Sequence, residues 1–174
     1  SSSREKSMRQ TVLLALWAGA LPLVHTHTFL ALGLFSGGYI LGRLIVQKEG
    51  RSGILVRAGV YLGIVLVLAL PQVLGNAVRQ TLEGGALRFQ FNWVNNSGGR
   101  GFKDGYFLFW VKNAGLPFIL VVCACLNAGR RGHLDIVLGM TAIYAVAETI
   151  LFQPNEYDNN KLFYIWYMFG AILA

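Results

Sequence analysis

The sequence predicts an all-α protein, a polytopic transmembrane helix bundle of about five to six membrane helices within a single region, 1–174. Three observations predict it. Of the 174 residues, 55% are hydrophobic and only 13% are charged, against roughly a quarter charged in a soluble domain of this size. Six apolar runs follow one another, at about 11–24, 28–46, 54–74, 104–126, 134–152 and 162–174. The basic residues gather between these runs, where they act as topology signals. A net charge of +7 would suggest nucleic acid in a soluble protein; here the placement of Lys and Arg excludes nucleic acid and makes the lipid bilayer the partner. The chain begins without Met and its last apolar run stops at 13 residues, when about 20 are needed to span. The sequence is therefore expected to be a fragment of a larger membrane protein.

In order, TVLLALWAGALPLV (11–24) is apolar but short, and HTHT joins it to FLALGLFSGGYILGRLIV (29–46) as a helical hairpin. Arg4, Lys6 and Arg9 precede the hairpin and Arg43, Lys48, Arg51 and Arg57 follow it. The positive-inside rule then places both ends of the hairpin in the cytoplasm, with the turn at His25 and His27 facing outward. Residues 54–74 run back to the outer side, and Pro71 is expected to kink or end that helix. The longest polar segment, 75–103, becomes an outer loop. Its glycines argue for irregular backbone, and Phe89, Phe91, Trp93 and Phe102 suit interfacial anchors. Residues 104–126 cross inward, Arg130 and Arg131 stay in the cytoplasm, and 134–152 cross outward again. FQPNEYDNNK (152–161) emerges outside. Nine of the 15 basic residues fall on the inner side and six, Arg79, Arg88, Arg100, Lys103, Lys112 and Lys161, on or toward the outer. The expected location is a bacterial plasma membrane, with 75–103 and 153–161 on the outer side.

Three polar constellations thus share the outer face, and their convergence is the main functional signal. Arg88, Arg100, Lys103 and Lys112 suit a phosphate or pyrophosphate clamp, because guanidinium bonds such groups bidentately. The same residues suit attraction to anionic lipid head groups. His25, His27, Glu156 and Asp158 carry imidazole and carboxylate, which suit several divalent ions. No dense ligand motif accompanies them, so the cofactor is unknown, and contact with polar or lipid head groups is favoured over a metal. Asn159 and Lys161 complete the rim. Lys112 and Glu148 lie deeper, about two turns and one turn from the outer ends of their spans, where ionisable groups usually face a bundle interior or polar cavity. They can pair with each other, or Lys112 can snorkel outward on its long stem. Cys123 and Cys125 read as buried thiols. Asn95-Asn96-Ser97 matches a glycosylation sequon, a weak signal by itself.

The runs LPLVHTHTFLALGLFS (21–36), FKDGYFLFWVKNAGLPF (102–118) and FQPNEYDNNKLFYIWY (152–167) together resemble bacterial multi-pass proteins similar to the GT-C superfamily. Those are lipid-phosphate-sugar-dependent glycosyltransferases of the protein mannosyltransferase type. The resemblance implies a polyprenyl-phosphate sugar as donor and inversion at a sugar carbon on the outer face. It also implies a catalytic acidic residue in a first external loop. No matching loop occurs here, so the catalytic residue is unknown, and the segment would be a later transmembrane portion supplying walls and donor-phosphate contacts. A multi-pass transporter and a non-catalytic scaffold subunit are the alternatives. A transporter favours polar residues at mid-span, whereas here they crowd toward the outer ends.

The topology is directly testable. Cysteines introduced at Gly50 and Gly132 should react with an impermeant thiol reagent only from the cytoplasm, and ones at Asn96 and Asn155 only from outside. Labelling of positions 132 and 155 from the same side would break the scheme.

Overall fold

The computed structural model describes residues 2–82, 88–96, 101–152 and 159–173. Arg100, Glu156 and Asp158 lie outside them. The protein is all-α. Helices α1 (Ser2–Ala20), α2 (Thr26–Val46) and α3 (Arg51–Leu82) come first, with a 3-10 turn at Leu21–Leu23. Strand β1 (Arg88–Phe89), helices α4 (Tyr106–Ala114), α5 (Leu116–Arg130) and α6 (Leu134–Thr149), strand β2 (Ile150–Leu151) and helix α7 (Lys161–Leu173) follow.

Among the described residues two helices are long and apolar enough to cross a membrane, Thr26–Val46 and the Arg51–Gly75 portion of α3. A third is reached if α4 and α5 count as one broken span. That is fewer than the five to six expected. The expected spans at 134–152 and 162–174 form helices of 16 and 13 residues, and α1 opens on the polar stretch SSREKSMRQ.

Other expectations also change. The run 104–126 does not form one straight helix; it bends by 114° between α4 and α5. Gly115 sits at the bend with φ 66° and ψ −151°, a conformation open to glycine because it lacks Cβ, and Pro117 then starts α5 where its missing N–H costs nothing. Pro71 does not end α3, which runs on to Leu82. Beside it the Gln72 side-chain amide donates to Leu68 O (2.6 Å) and across to Gly19 O of α1 (3.4 Å). The expected outer loop 75–103 therefore begins as helix. Of its aromatic anchors Phe89, Phe91 and Phe102 are exposed, whereas Trp93 is 2% exposed and belongs to the core. Cys123 is exposed and Cys125 half-buried, both as free thiols rather than buried ones.

The bundle is apolar outside and partly polar inside. Leu66, Val67, Trp17 and many other large apolar side chains are exposed, while Asn92, Asn95, Asp135, Glu148 and Asn159 are buried. In water this arrangement would cost stability twice. In a bilayer it is the expected one, because lipid solvates the apolar faces and polar groups turn to the bundle interior.

The tightest packing joins α2 to α6. Gly38 and Gly42 form a G-x-x-x-G stripe on α2. A Cβ on Gly38 would strike the backbone of Leu138, and one on Gly42 the backbone of Asp135; one on Gly139 of α6 would come within 2.8 Å of Phe35. Small residues at such a crossing let two backbones meet, which matters in lipid because apolar side chains gain nothing by leaving it. The contacts run antiparallel, Phe35 to Gly139 and Gly42 to Asp135, so the start of α2 and the end of α6 share one end of the bundle. At the other end Arg43 Nη1 lies 3.7 Å from Asp135 Oδ2. Helix α7 packs on the other side, with Phe169 stacked on Phe35 at 4.6 Å. Helices α1 and α3 lie side by side and parallel, with Arg57 donating to Ser7 near one end and Gln72 to Gly19 near the other.

Thermal unfolding in detergent tests the crossing. Gly42→Ala should destabilise by about 1–3 kcal/mol or more, since its Cβ meets backbone rather than a flexible side chain. Gly59→Ala, with nothing within 4 Å of its Cβ, should be neutral or stabilising by under about 1 kcal/mol. Equal effects at both positions would remove the crossing from the account.

Candidate functional site

The site is built on the C-terminus of α6, the end shared with the start of α2. A helix leaves its last four carbonyls without intrahelical partners. Here the four are bonded in turn: Val146 O accepts from Ile150 N, Ala147 O from Trp93 Nε1 at 2.8 Å, Glu148 O from Asn92 N at 3.0 Å and Thr149 O from Gln90 N at 2.8 Å. The antiparallel pairs Arg88–Leu151 and Phe89–Ile150 extend this zipper. Asn92 makes the turn possible at φ 56°, a left-handed conformation that asparagine tolerates better than most residues. The 88–93 segment is thereby folded back on α6, with Asn92 and Trp93 buried and Arg88, Phe89 and Phe91 exposed.

Two further asparagines fix the surroundings. Asn95 is fully buried; its Nδ2 donates to Asp104 O at 2.7 Å, and its Oδ1 accepts from the amides of Lys103 (3.1 Å) and Asp104 (3.3 Å). With its amide engaged on three sides Asn95 is not a sugar-attachment site, whatever its sequon. Asn159 is 1% exposed, and its Oδ1 accepts from Phe152 N at 2.6 Å, which ties the start of α7 to the end of β2.

Inside this frame lies Glu148, 2% exposed, with neither carboxyl oxygen hydrogen-bonded among the described residues. Trp110 Nε1 and the Tyr106 hydroxyl face the carboxyl without closing to hydrogen-bond geometry, and Trp110 Nε1 has no other acceptor. Asn92 Oδ1 is likewise buried and unbonded. Tyr144, one turn before Glu148 on the same helix face, shares a 2.7 Å hydroxyl–hydroxyl bond with Tyr106. Trp110, Tyr144, Phe163 and Trp166 pack around it, ring centroids 4.8–5.9 Å apart where they touch. Unbonded buried polar groups each cost several kcal/mol. The cluster therefore offers two acceptors and an indole donor in an aromatic wall, a set suited to a polar, hydroxylated group.

Below the hydroxyl pair a cleft of about 360 Å³ opens between α4, α5, α6 and α7. Phe107, Val122, Leu126, Met140 and Trp166 line it, with Tyr106 and Tyr144 also on its wall. Val122 and Leu126 are exposed, so the cleft opens on the apolar surface of the bundle.

The sequence-chosen residues distribute unevenly around this cluster. His25 caps α2, its Nδ1 accepting from Thr28 N at 3.2 Å, and its ring lies 5.7 Å from that of His27. Arg88 and Lys103 are exposed at the rim, while Asn159 is buried and Lys161 opens α7. Lys112 does not pair with Glu148. Its Nζ lies 2.6 Å from Asp104 Oδ1, with the lysine side chain largely exposed, and the 114° bend at Gly115 removes the single straight 104–126 helix on which the Glu148 pairing rested. Among the described residues no three His, Cys, Asp or Glu side chains stand close enough to hold a metal ion. Sequence reasoning missed Asn92, Asn95, Trp93 and Trp110; their only signal was polar and aromatic residues interleaved in FQFNWVNN and YFLFW. No family model, curated protein or solved structure matches this chain.

A double-mutant cycle separates the two ion-pair schemes. Lys112→Met and Asp104→Asn should couple by up to about 1 kcal/mol, as an exposed pair does, whereas Lys112→Met and Glu148→Gln should be additive. Coupling of Lys112 to Glu148 instead would contradict the placement of α4.

Proposed function

We propose that this chain is the membrane portion of a glycosyltransferase-like protein that takes a lipid-phosphate-linked sugar at the outer face. The observation that carries the reading is the apolar cleft, open on the bundle surface, that ends at the Tyr106–Tyr144 hydroxyl pair, next to the buried Glu148 carboxyl. An amphiphile needs both parts: a channel for its chain and unsatisfied polar groups for its head. In this reading the polyprenyl chain enters between Val122 and Leu126, and the sugar hydroxyls bond Glu148, Asn92 and Trp110. Arg88 and Lys103 at the rim attract the phosphate. Helices α1, α6 and α7 also lie within the bilayer, bringing the membrane helices to five or six, in a bacterial plasma membrane. No catalytic residue is assigned, and Glu148 is a head-group ligand here.

The broken α4–α5 pair favours a second reading, a transporter, since substrate sites of transporters form at interrupted helices. Its prediction is movement of substrate across a sealed vesicle, which the first reading does not make.

The test uses full-length protein reconstituted in vesicles with a polyprenyl-phosphate sugar. Val122→Trp, which fills the cleft, should weaken donor binding by about tenfold or more, the equivalent of some 1.4 kcal/mol of lost contact. Glu148→Gln should lower sugar-dependent affinity while leaving affinity for the bare polyprenyl phosphate unchanged. Wild-type donor affinity in both variants, at wild-type abundance, would overturn the proposal.

A further inference from the structure

At the opposite end of the bundle, where Arg43, Lys48, Arg51 and Arg57 gather around the α2–α3 connection, a second crevice of about 450 Å³ separates the α1–α3 pair from α2. Leu14, Leu32, Ile40 and Ile54 give it an apolar body, and Arg43 and Arg57 line it too. The two arginines come from different helices. Arg43 is three residues from the end of α2 and Arg57 six from the start of α3, placing them about 5 and 9 Å from the helix ends at 1.5 Å per residue. This is head-group depth.

Both guanidinium groups keep capacity for an anion. Arg57 is exposed and donates through Nε to Gly53 O (3.2 Å) and through Nη1 to Ser7 Oγ (2.8 Å), both neutral acceptors. Arginine carries five N–H donors. Arg43 meets Asp135 at 3.7 Å, too long for a hydrogen bond, and Asp135 Oδ1 already accepts from Ile136 N at 2.9 Å. An apolar crevice rimmed by two under-used arginines at head-group depth matches one occupant, a phospholipid with an anionic head. Basic pockets between membrane helices bind such head groups.

We propose that this crevice is a site for one anionic phospholipid, its phosphate held between Arg43 and Arg57 and one acyl chain lying between α1, α2 and α3. The α1–α3 pair meets α2 lightly, so the acyl chain completes the packing between them, and the lipid joins the pair to the α2–α6 core. This site shares no lining residue with the cleft at Tyr106 and Tyr144, and it stands whether or not that cleft binds a sugar donor.

The test is lipid retention and thermal stability of the full-length protein in nanodiscs, with phosphatidylglycerol or phosphatidylcholine as the added lipid. Phosphatidylglycerol should be retained in native mass spectrometry and raise Tm; phosphatidylcholine, whose choline cation offsets the same phosphate beside two arginines, should be retained several-fold less and raise Tm less. Arg57→Gln, which leaves the α2–α6 contact intact, should weaken phosphatidylglycerol retention about tenfold, the scale of a charge-assisted hydrogen bond. Ala58→Trp, filling the crevice, should abolish it. Lys48→Gln, which removes the same charge outside the crevice, should leave it unchanged. Equal retention of the two lipids, or an equal loss in Lys48→Gln and Arg57→Gln, would overturn the proposal. So would displacement of the lipid by millimolar inorganic phosphate, since the acyl chain would then contribute nothing.

Discussion

The structure depends on the backbone contact between α2 and α6. Lipid tails are as apolar as leucine, so two membrane helices associate through close van der Waals packing rather than expulsion from water. Gly38, Gly42 and Gly139 supply that closeness. The antiparallel crossing then decides the rest. It brings Arg43 to Asp135 at one end and sets the α6 terminus beside the start of α2 at the other. It also leaves one flank of the pair for Phe169 and the other residues of α7.

The α6 terminus shows how a polar site is held inside such a bundle. Its four terminal carbonyls would be expensive near lipid, and residues 90–93 with Ile150 satisfy all of them. Glu148 and Asn92 are buried beside this folded-back segment, and Trp110 of α4 faces the carboxyl. The helix end is fully satisfied, whereas the side chains next to it are not. The fold thus completes the four terminal carbonyl bonds of α6 and leaves a carboxyl, an amide oxygen and an indole unbonded close by, near a cleft with a mostly apolar lining.

How much of this was legible in the sequence follows from the range of each interaction. Apolar runs and basic clusters are local, so the α-helical class, α2 and the membrane character could be read directly. Glu148 was recognisable as a deep charge for the same reason. Its surroundings were not, because they depend on the direction of α4: nothing local says that Gly115 takes φ 66° and turns the helix, and a straight 104–126 helix suggests the wrong partner for Lys112. Trp93 resembles an interfacial anchor until the carbonyl of Ala147, 54 residues away in sequence, takes its N–H. The Gly38–Gly42 stripe went unread in the sequence, and its partner Gly139 lies about a hundred residues further on. Pro71 was expected to kink or end its helix, and α3 instead continues past it to Leu82, as membrane helices allow where the backbone groups freed by proline find other partners.

The bundle thus presents two different environments, a basic end with an apolar crevice and a hydroxyl- and carboxyl-lined end with an apolar cleft. The central claim is that the second environment receives an amphiphile, chain in the cleft and head at Glu148. Photo-crosslinking tests it most directly, using full-length protein in vesicles and a polyprenyl phosphate with a diazirine close to its phosphate. Attachment is expected at Phe107, Tyr144 and Trp166, lost on competition with unlabelled lipid. Attachment spread over the exposed α3 residues Leu62, Leu66 and Val67, with none on the cleft wall, would contradict it.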